Sequence, residues 1–383
     1  MKDKEKITLW LNRISQITFF LALFIELTIV ILDKSSYLIQ YEGLWFRLTF
    51  VLFGISLITV RHHWKEWLWF ALFCILGLIS YRATGRNEIL RWVVFIWSCQ
   101  GKDMKKVLKV TFWYTAAGCL VLMLLSVFGI AGFVAQEAVY RAEEELRYSF
   151  GMGHPNAFHC MMLAITWLGI YCYHERIKWY GYGLLGIAHI ILFFFTKTRT
   201  GLLMAIGSMM ITIILACWKK IQDKKWIYLL GIAVIVGAVV LSVLMAIYST
   251  NAEIFKELDK YLTGRIGVLK WDSMRSEGMI HTWTLWSEAR NNYFFDLGIV
   301  RMFYWFGIIP ATIYYLVQCR LLWCAYKKKD YMMLMVVVVI TIYSIFEAHY
   351  ISDYTGRNYI FFFLGMYLKE MLGVDEKRQT SVV

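Results

Sequence analysis

The chain contains almost no proline: Pro155 and Pro310 are the only two in 383 residues. Proline-rich linkers are excluded, and no low-complexity stretch divides the sequence. Charge is sparse as well, with 17% charged against 60% hydrophobic residues and a mean hydropathy of +0.55. That balance excludes an ordinary soluble domain. Eight cysteines are present (Cys74, Cys99, Cys119, Cys160, Cys172, Cys217, Cys319 and Cys324), all in or beside apolar segments and none in a C-x2-C pair. Neither a thiolate metal site nor an extracytoplasmic disulfide framework is expected from them; they read as small packing residues.

What the sequence has instead is apolar runs of membrane-spanning length from end to end. Twelve spans are expected, near 14–32, 44–60, 64–81, 87–99, 108–130, 155–173, 179–195, 201–217, 226–248, 298–321, 331–347 and 357–373. The first belongs to this series and is expected to remain in the bilayer rather than be cleaved as a signal peptide. The expected fold is therefore all-α: one polytopic transmembrane domain over 1–383, with a long loop at 249–297 before the tenth span. The fourth span is short and carries Arg91, so a tilted or re-entrant segment is the alternative there.

The net charge of +13 would suit a nucleic-acid binder, but its placement argues otherwise. Loops on the N-terminal side of the expected spans hold 18 Lys and 4 Arg, and loops on the opposite side hold 5 Lys and 9 Arg. The positive-inside rule then puts both termini in the cytoplasm, and no nucleic-acid partner is expected. The outer side is poor in lysine and comparatively rich in arginine. Arginine pairs phosphate through a planar fork and stays charged, so a phosphate-bearing substrate in the outer leaflet is expected. The alternative is that these arginines reach lipid headgroups or pair with Glu137, Glu143, Glu144 and Glu145; that alternative is preferred for Arg141 and Arg147. Arg82 and Arg86 flank a tight Ala83-Thr84-Gly85 loop and are read as functional.

Gly151-Met152-Gly153-His154-Pro155-Asn156 lies where an outer loop turns into the sixth span. Proline suits a first helical position, glycine permits close approach of backbone to a ligand, and a helix N-terminus attracts anions. His154 and Asn156 are thus candidate binding residues. Phe195-Thr196-Lys197-Thr198-Arg199-Thr200-Gly201 is a second tight turn, and it sets Arg199 beside another helix start. The long loop opens with Thr250-Asn251-Ala252-Glu253, a capping-box pattern, and continues as an expected amphipathic helix through Ile254, Phe255, Leu258, Tyr261 and Leu262. Arg265 follows Thr263-Gly264. His281, Trp283 and Trp286 recur further on, either to stack on sugar or to anchor at the bilayer edge. Asp296 and Arg301 are five residues apart, so each is expected to have its own partner. Glu347, His349, Asp353 and Arg357 gather at the last outer turn, as a general base or acceptor site or as a local ion-pair network. Ionisable groups at membrane depth usually face a cavity, which draws in Glu26, Arg47 and Arg91.

Four of these pieces resemble the polysaccharide repeat-unit polymerases of the Wzy type, within the O-antigen polymerase and ligase superfamily, and in particular those of Gram-positive capsule and exopolysaccharide clusters. They are Gly153-His154-Pro155-Asn156, Thr198-Arg199-Thr200-Gly201, Thr263-Gly264-Arg265, and Asp296-Leu297-Gly298 with Tyr304-Trp305-Phe306-Gly307. Asn291-Asn292-Tyr293 departs from the pattern, lacking the aspartate of an Asp-Asn-x-Tyr element. The resemblance implies a GT-C-like helical fold in the bacterial cytoplasmic membrane. It implies an undecaprenyl-pyrophosphate-linked oligosaccharide as substrate, with the flippase and chain-length regulator of the same pathway as partners. The growing glycan would pass from its lipid to a new repeat unit. No outward Asp-x-Asp motif is present, so neither a metal nor another cofactor is expected. Pyrophosphate and glycan fall to His154, Asn156, Arg199, Arg265, Arg82, Arg86, Arg301 and Arg357. The base falls to His281, Glu347, Asp353 or Asp296. A ligase of the same superfamily is one alternative. A lipid-linked oligosaccharide flippase is another, against which stand the lack of a clear internal repeat and the concentration of polar residues on one face.

Overall fold

In a computed structural model, the described residues are 2–35, 37, 39–140, 143–262, 264–270 and 277–374. Thr263, Arg141 and the loop piece 271–276 lie outside them. The chain opens with α1 (Lys2–Asp33), α2 (Glu42–Ile58), α3 (Trp64–Thr84), α4 (Glu88–Ser98) and α5 (Met104–Val127). A hairpin of β1 (Ala135–Tyr140) and β2 (Glu143–Tyr148) follows, antiparallel with Ala135 opposite Tyr148. Next come α6 (Pro155–Tyr173), α7 (Trp179–Thr196), α8 (Arg199–Cys217), the one-turn α9 (Lys219–Gln222) and α10 (Lys225–Tyr248). The long loop carries α11 (Glu253–Tyr261). Last are α12 (Gly298–Phe306), α13 (Ile308–Lys328), α14 (Tyr331–Phe346), α15 (Tyr359–Met366) and α16 (Leu368–Leu372).

The fold is thus nearly rather than wholly all-α, the hairpin being the departure. Every expected span corresponds to helix, but among the described residues seven helices are long and apolar enough to cross a membrane: α1, α3, α5, α7, α8, α10 and α13. The remaining helices are shorter or less apolar. Three expected spans differ in kind. α4 has 11 residues, the tenth span is cut into α12 and α13 at Gly307, and the twelfth is cut into α15 and α16 at Tyr367. Gly307 sits at φ 95°, and a Cβ there would lie 2.6 Å from the backbone around Trp286, so a loop strand crosses where the helix would have run on. Only glycine permits both the dihedral and the approach.

Burial explains how short helices are accommodated. All residues of α12, and all but Leu90 of α4, are buried, and α14 and α15 are nearly so. The long helices leave most of their apolar surface on the outside; only 17% of the most apolar window of α3 is covered, and at most 50%, in α1. A backbone enclosed by protein need not match bilayer thickness, because its ends are satisfied by neighbours rather than by headgroups. The centre is aromatic, with Trp92 packed on Phe306 and Phe361, and Phe95 on Phe362.

Candidate functional site

The Asp33 end of α1 and the first turns of α6, α8 and α12 converge with two loops, 264–266 and 347–358. Pro155 is the first residue of α6, as its chemistry requires, and His154 is the N-cap. The His154 ring nitrogen Nδ1 accepts from the Asn156 backbone N–H at 3.1 Å, so one helix-start donor is already used. Asn156 in turn joins the two glycine-bearing turns, since the Thr198 hydroxyl at the start of α8 donates to its Oδ1 at 3.0 Å. Gly201 makes this junction possible: a Cβ there would sit 2.6 Å from the His159 ring of α6. Arg199 projects beside this junction, exposed and making no ion pair with the described residues.

The long loop positions Arg265. α11 begins at Glu253 behind Ala252, with no side-chain cap, so the expected capping box does not form. Beyond the helix, Asp259 accepts from the Ile266 N–H at 2.6 Å, Ser249 donates to the Ile266 carbonyl at 3.0 Å, and Ile266 is fully buried. Arg265 is thereby aimed inward. It contacts the Glu347 carboxylate at 2.6 Å, the Phe346 carbonyl at 2.7 Å and Asp296 at 3.3 Å. Burial opposes its charge, but Glu347 and Asp296 outweigh burial and its pKa is raised. Burial lowers the pKa of His154; Asp296 opposes this, and Arg147, Arg265 and Lys34 reinforce it.

Deeper lie two arginines with uncommitted donors. Arg301, 3% exposed, is sandwiched between Phe294 (4.2 Å) and Trp305 (3.7 Å), and its Nε and Nη1 have no hydrogen-bond partner. Arg357, 4% exposed, pairs with Asp33 through Nη2, stacks on Tyr354 at 4.4 Å and leaves Nε unpartnered. Asp353 Oδ1 and His349 Nε2 are likewise buried without partners. Burial, then Arg357 and Lys34, push the His349 pKa well below its usual value. Arg301 lies within electrostatic reach of Asp353, Arg357, Arg86 and Asp296, a cluster of charged groups called the chamber below. Buried polar atoms are normally satisfied, and a cluster of orphaned guanidinium N–H groups suits an anion.

The expected residues sort clearly against this chamber. Arg86 borders it, 4.2 Å from the Trp305 ring and 3.2 Å from the Asn291 carbonyl. Arg82 is exposed and forms no ion pair with the described residues, so the two arginines of that turn do not act together. Asp296 pairs with Arg265, whereas Arg301 meets aromatic rings and forms no ion pair with the described residues. The charged side chains of the 347–358 turn do not pair with one another: Glu347 goes to Arg265, Arg357 to Asp33, and the Asp353 carbonyl to Arg91 at 2.9 Å. His281 is exposed on a single 3-10 turn. Trp283 is neither a sugar platform nor a bilayer anchor, for it is buried against Phe303 at 4.7 Å with its N–H on the Gly278 carbonyl. Asn291, whose element lacks the expected aspartate, is a buried brace donating to Ser287 and to the Tyr304 and Thr282 carbonyls. Arg147 pairs with Glu145 at 2.8 Å, matching the local pairing preferred for it.

Lys34 and Asp33 were not foreseen as site residues. Asp33 holds Arg357, accepts from Tyr354 at 2.6 Å, and pairs with Lys34 at 3.2 Å. Their only signal in the sequence is an acid–base pair at the end of the first span. Among the described residues, no three His, Cys, Asp or Glu side chains come together as metal ligands. No family model matches the chain, and neither the curated proteins nor the solved structures contain a match to it.

Proposed function

We propose that this protein polymerises undecaprenyl-pyrophosphate-linked oligosaccharide repeat units into surface polysaccharide at the outer face of the bacterial cytoplasmic membrane. One observation carries the reading: Arg301 and Arg357, both buried, keep guanidinium N–H groups unpartnered within reach of the carboxylates Asp296 and Asp353. Guanidinium N–H groups left without partners suit a diphosphate, and preorganised donors stabilise the charge that develops on a leaving diphosphate. On this reading the chain crosses the membrane twelve times with both termini cytoplasmic, the short central helices counting as enclosed crossings.

Asp296 is the proposed base. Its side chain is 41% exposed, whereas that of Glu347 is 8% exposed and bound to Arg265. Glu347 then serves as the fixed counter-ion that aims Arg265, and Asp296 is left open to an acceptor. The acceptor hydroxyl oxygen attacks the anomeric carbon of the donor glycan. Its proton passes to Asp296, the anomeric C–O bond breaks, and undecaprenyl pyrophosphate departs with the electron pair toward Arg301 and Arg357. Arg199 and His154 border the entrance.

Deletion of the gene, with analysis of lipid-linked oligosaccharides and surface polysaccharide, tests this. Single repeat units on the outer leaflet with long chains absent are expected. Long lipid-linked chains that are never attached would mean a ligase instead, and repeat units confined to the cytoplasmic leaflet would mean a flippase.

A further inference from the structure

A half-enclosed cavity of about 330 Å3 lies between α2, α3 and α4, apart from the chamber but connected to it through one residue. Its walls include Phe50, Val51, Leu78 and Leu90, and the first three expose much of their side chains outward. Two arginines mark it. Arg47, on the second turn of α2, is exposed and has no ion-pair or hydrogen-bond partner among the described residues. Arg91 lies against the inner wall, 6% exposed, stacked 3.6 Å from the Phe46 ring and with its Nε unpartnered. Arg91 also pairs with Glu26 at 3.2 Å and donates to the Asp353 carbonyl at 2.9 Å. The residue that lines this groove is therefore hydrogen-bonded to the loop that carries Arg357.

An apolar slot open to the membrane takes a hydrocarbon chain, and an unpaired arginine at membrane depth is costly unless an anion meets it. The combination calls for a lipid whose head is anionic. Two arginines in sequence, the second leading to the chamber, suit a head with more than one phosphate.

We propose that this groove seats the isoprenoid chain of a polyprenyl diphosphate, with Arg47 meeting the diphosphate at the mouth and Arg91 lining its route to Arg301 and Arg357. The choice of lipid rests on the polymerase reading. The groove is thus the lateral door by which a lipid-linked substrate reaches the chamber.

The test is binding of farnesyl diphosphate and of inorganic pyrophosphate to the purified full-length protein, for wild type, Arg47→Ala and Leu78→Trp. Both side chains are exposed, so neither substitution disturbs the core, and unchanged melting temperatures check this. Farnesyl diphosphate is expected to weaken about tenfold in each variant, the loss that follows from one charge-assisted contact or a blocked slot. Inorganic pyrophosphate should weaken in Arg47→Ala alone. The proposal is overturned if Leu78→Trp binds farnesyl diphosphate as wild type does, or if phosphatidylglycerol competes equally. A deletion strain that still makes long chains would sink the polymerase reading while leaving groove binding as measured. Polymerisation lost on deletion, with farnesyl diphosphate binding indifferent to both variants, would sink the groove alone.

Discussion

The guanidinium of Arg301 lies 3.7 Å from the centre of the Trp305 indole, one turn further along α12. Arg86, from the turn after α3, lies 4.2 Å from the same ring. One indole therefore holds two cations near the chamber without neutralising either, which a carboxylate would not do. Cation–π contact of a desolvated arginine contributes about 2 kcal/mol or more. It also leaves the N–H edge free for an anion.

Arg301→Lys is accordingly not a conservative change. It keeps the charge but loses the stack and the fork. Polymer yield in cells carrying this variant should fall at least about tenfold, with the protein still present in the membrane at normal level. Wild-type polymer in Arg301→Lys would remove Arg301 from the binding site.

The Arg265–Glu347 pair separates stability from activity. Glu347→Leu alone leaves a mostly buried guanidinium short of its main counter-ion, and breaking such a pair costs about 3–5 kcal/mol. The double variant Arg265→Met, Glu347→Leu removes both charges and should regain most of the lost thermal stability while remaining inactive. Recovery of activity along with stability would show the pair to be a brace only.

Gly201 tests the junction of the two turns. In Gly201→Ala the new methyl meets the His159 ring, and overpacking of this kind costs about 1–3 kcal/mol. A lower melting temperature is expected, partly restored by a second change, His159→Ser, that makes room. Gly201→Ala with unaltered stability would mean that α6 and α8 pack less closely than described.

Lys34 gives a pH dependence with a definite sign. Burial first, then Arg357, lowers its pKa from 10.5 to about 8, against the opposing pull of Asp33. Below pH 8 both folded and unfolded chains carry the proton. Between pH 8 and 10.5 the unfolded chain holds a proton that the folded chain has released, so this residue makes stability rise with pH through that window. Lys34→Met should flatten the rise in pH-dependent melting curves. Anion binding runs the other way, weakening as the charge is lost above about pH 8; Lys34→Arg should carry binding to higher pH.

The sequence by itself determined where most of the chain is helical. Apolar run length and the Pro155 helix start are local, and hydrophobic pattern and backbone preference set them without distant contacts. The pairing of charges was not legible, because it depends on loops that return from far along the chain. Arg265 and Glu347 are 82 residues apart, and Arg357 and Asp33 are 324 apart. Nor did periodicity reveal that α4, α12 and α15 sit enclosed at the centre, since an apolar run reads alike whether lipid or protein covers it. Only the tertiary structure decided that, by shielding short helices with long ones and leaving the arginines between them with donors to spare.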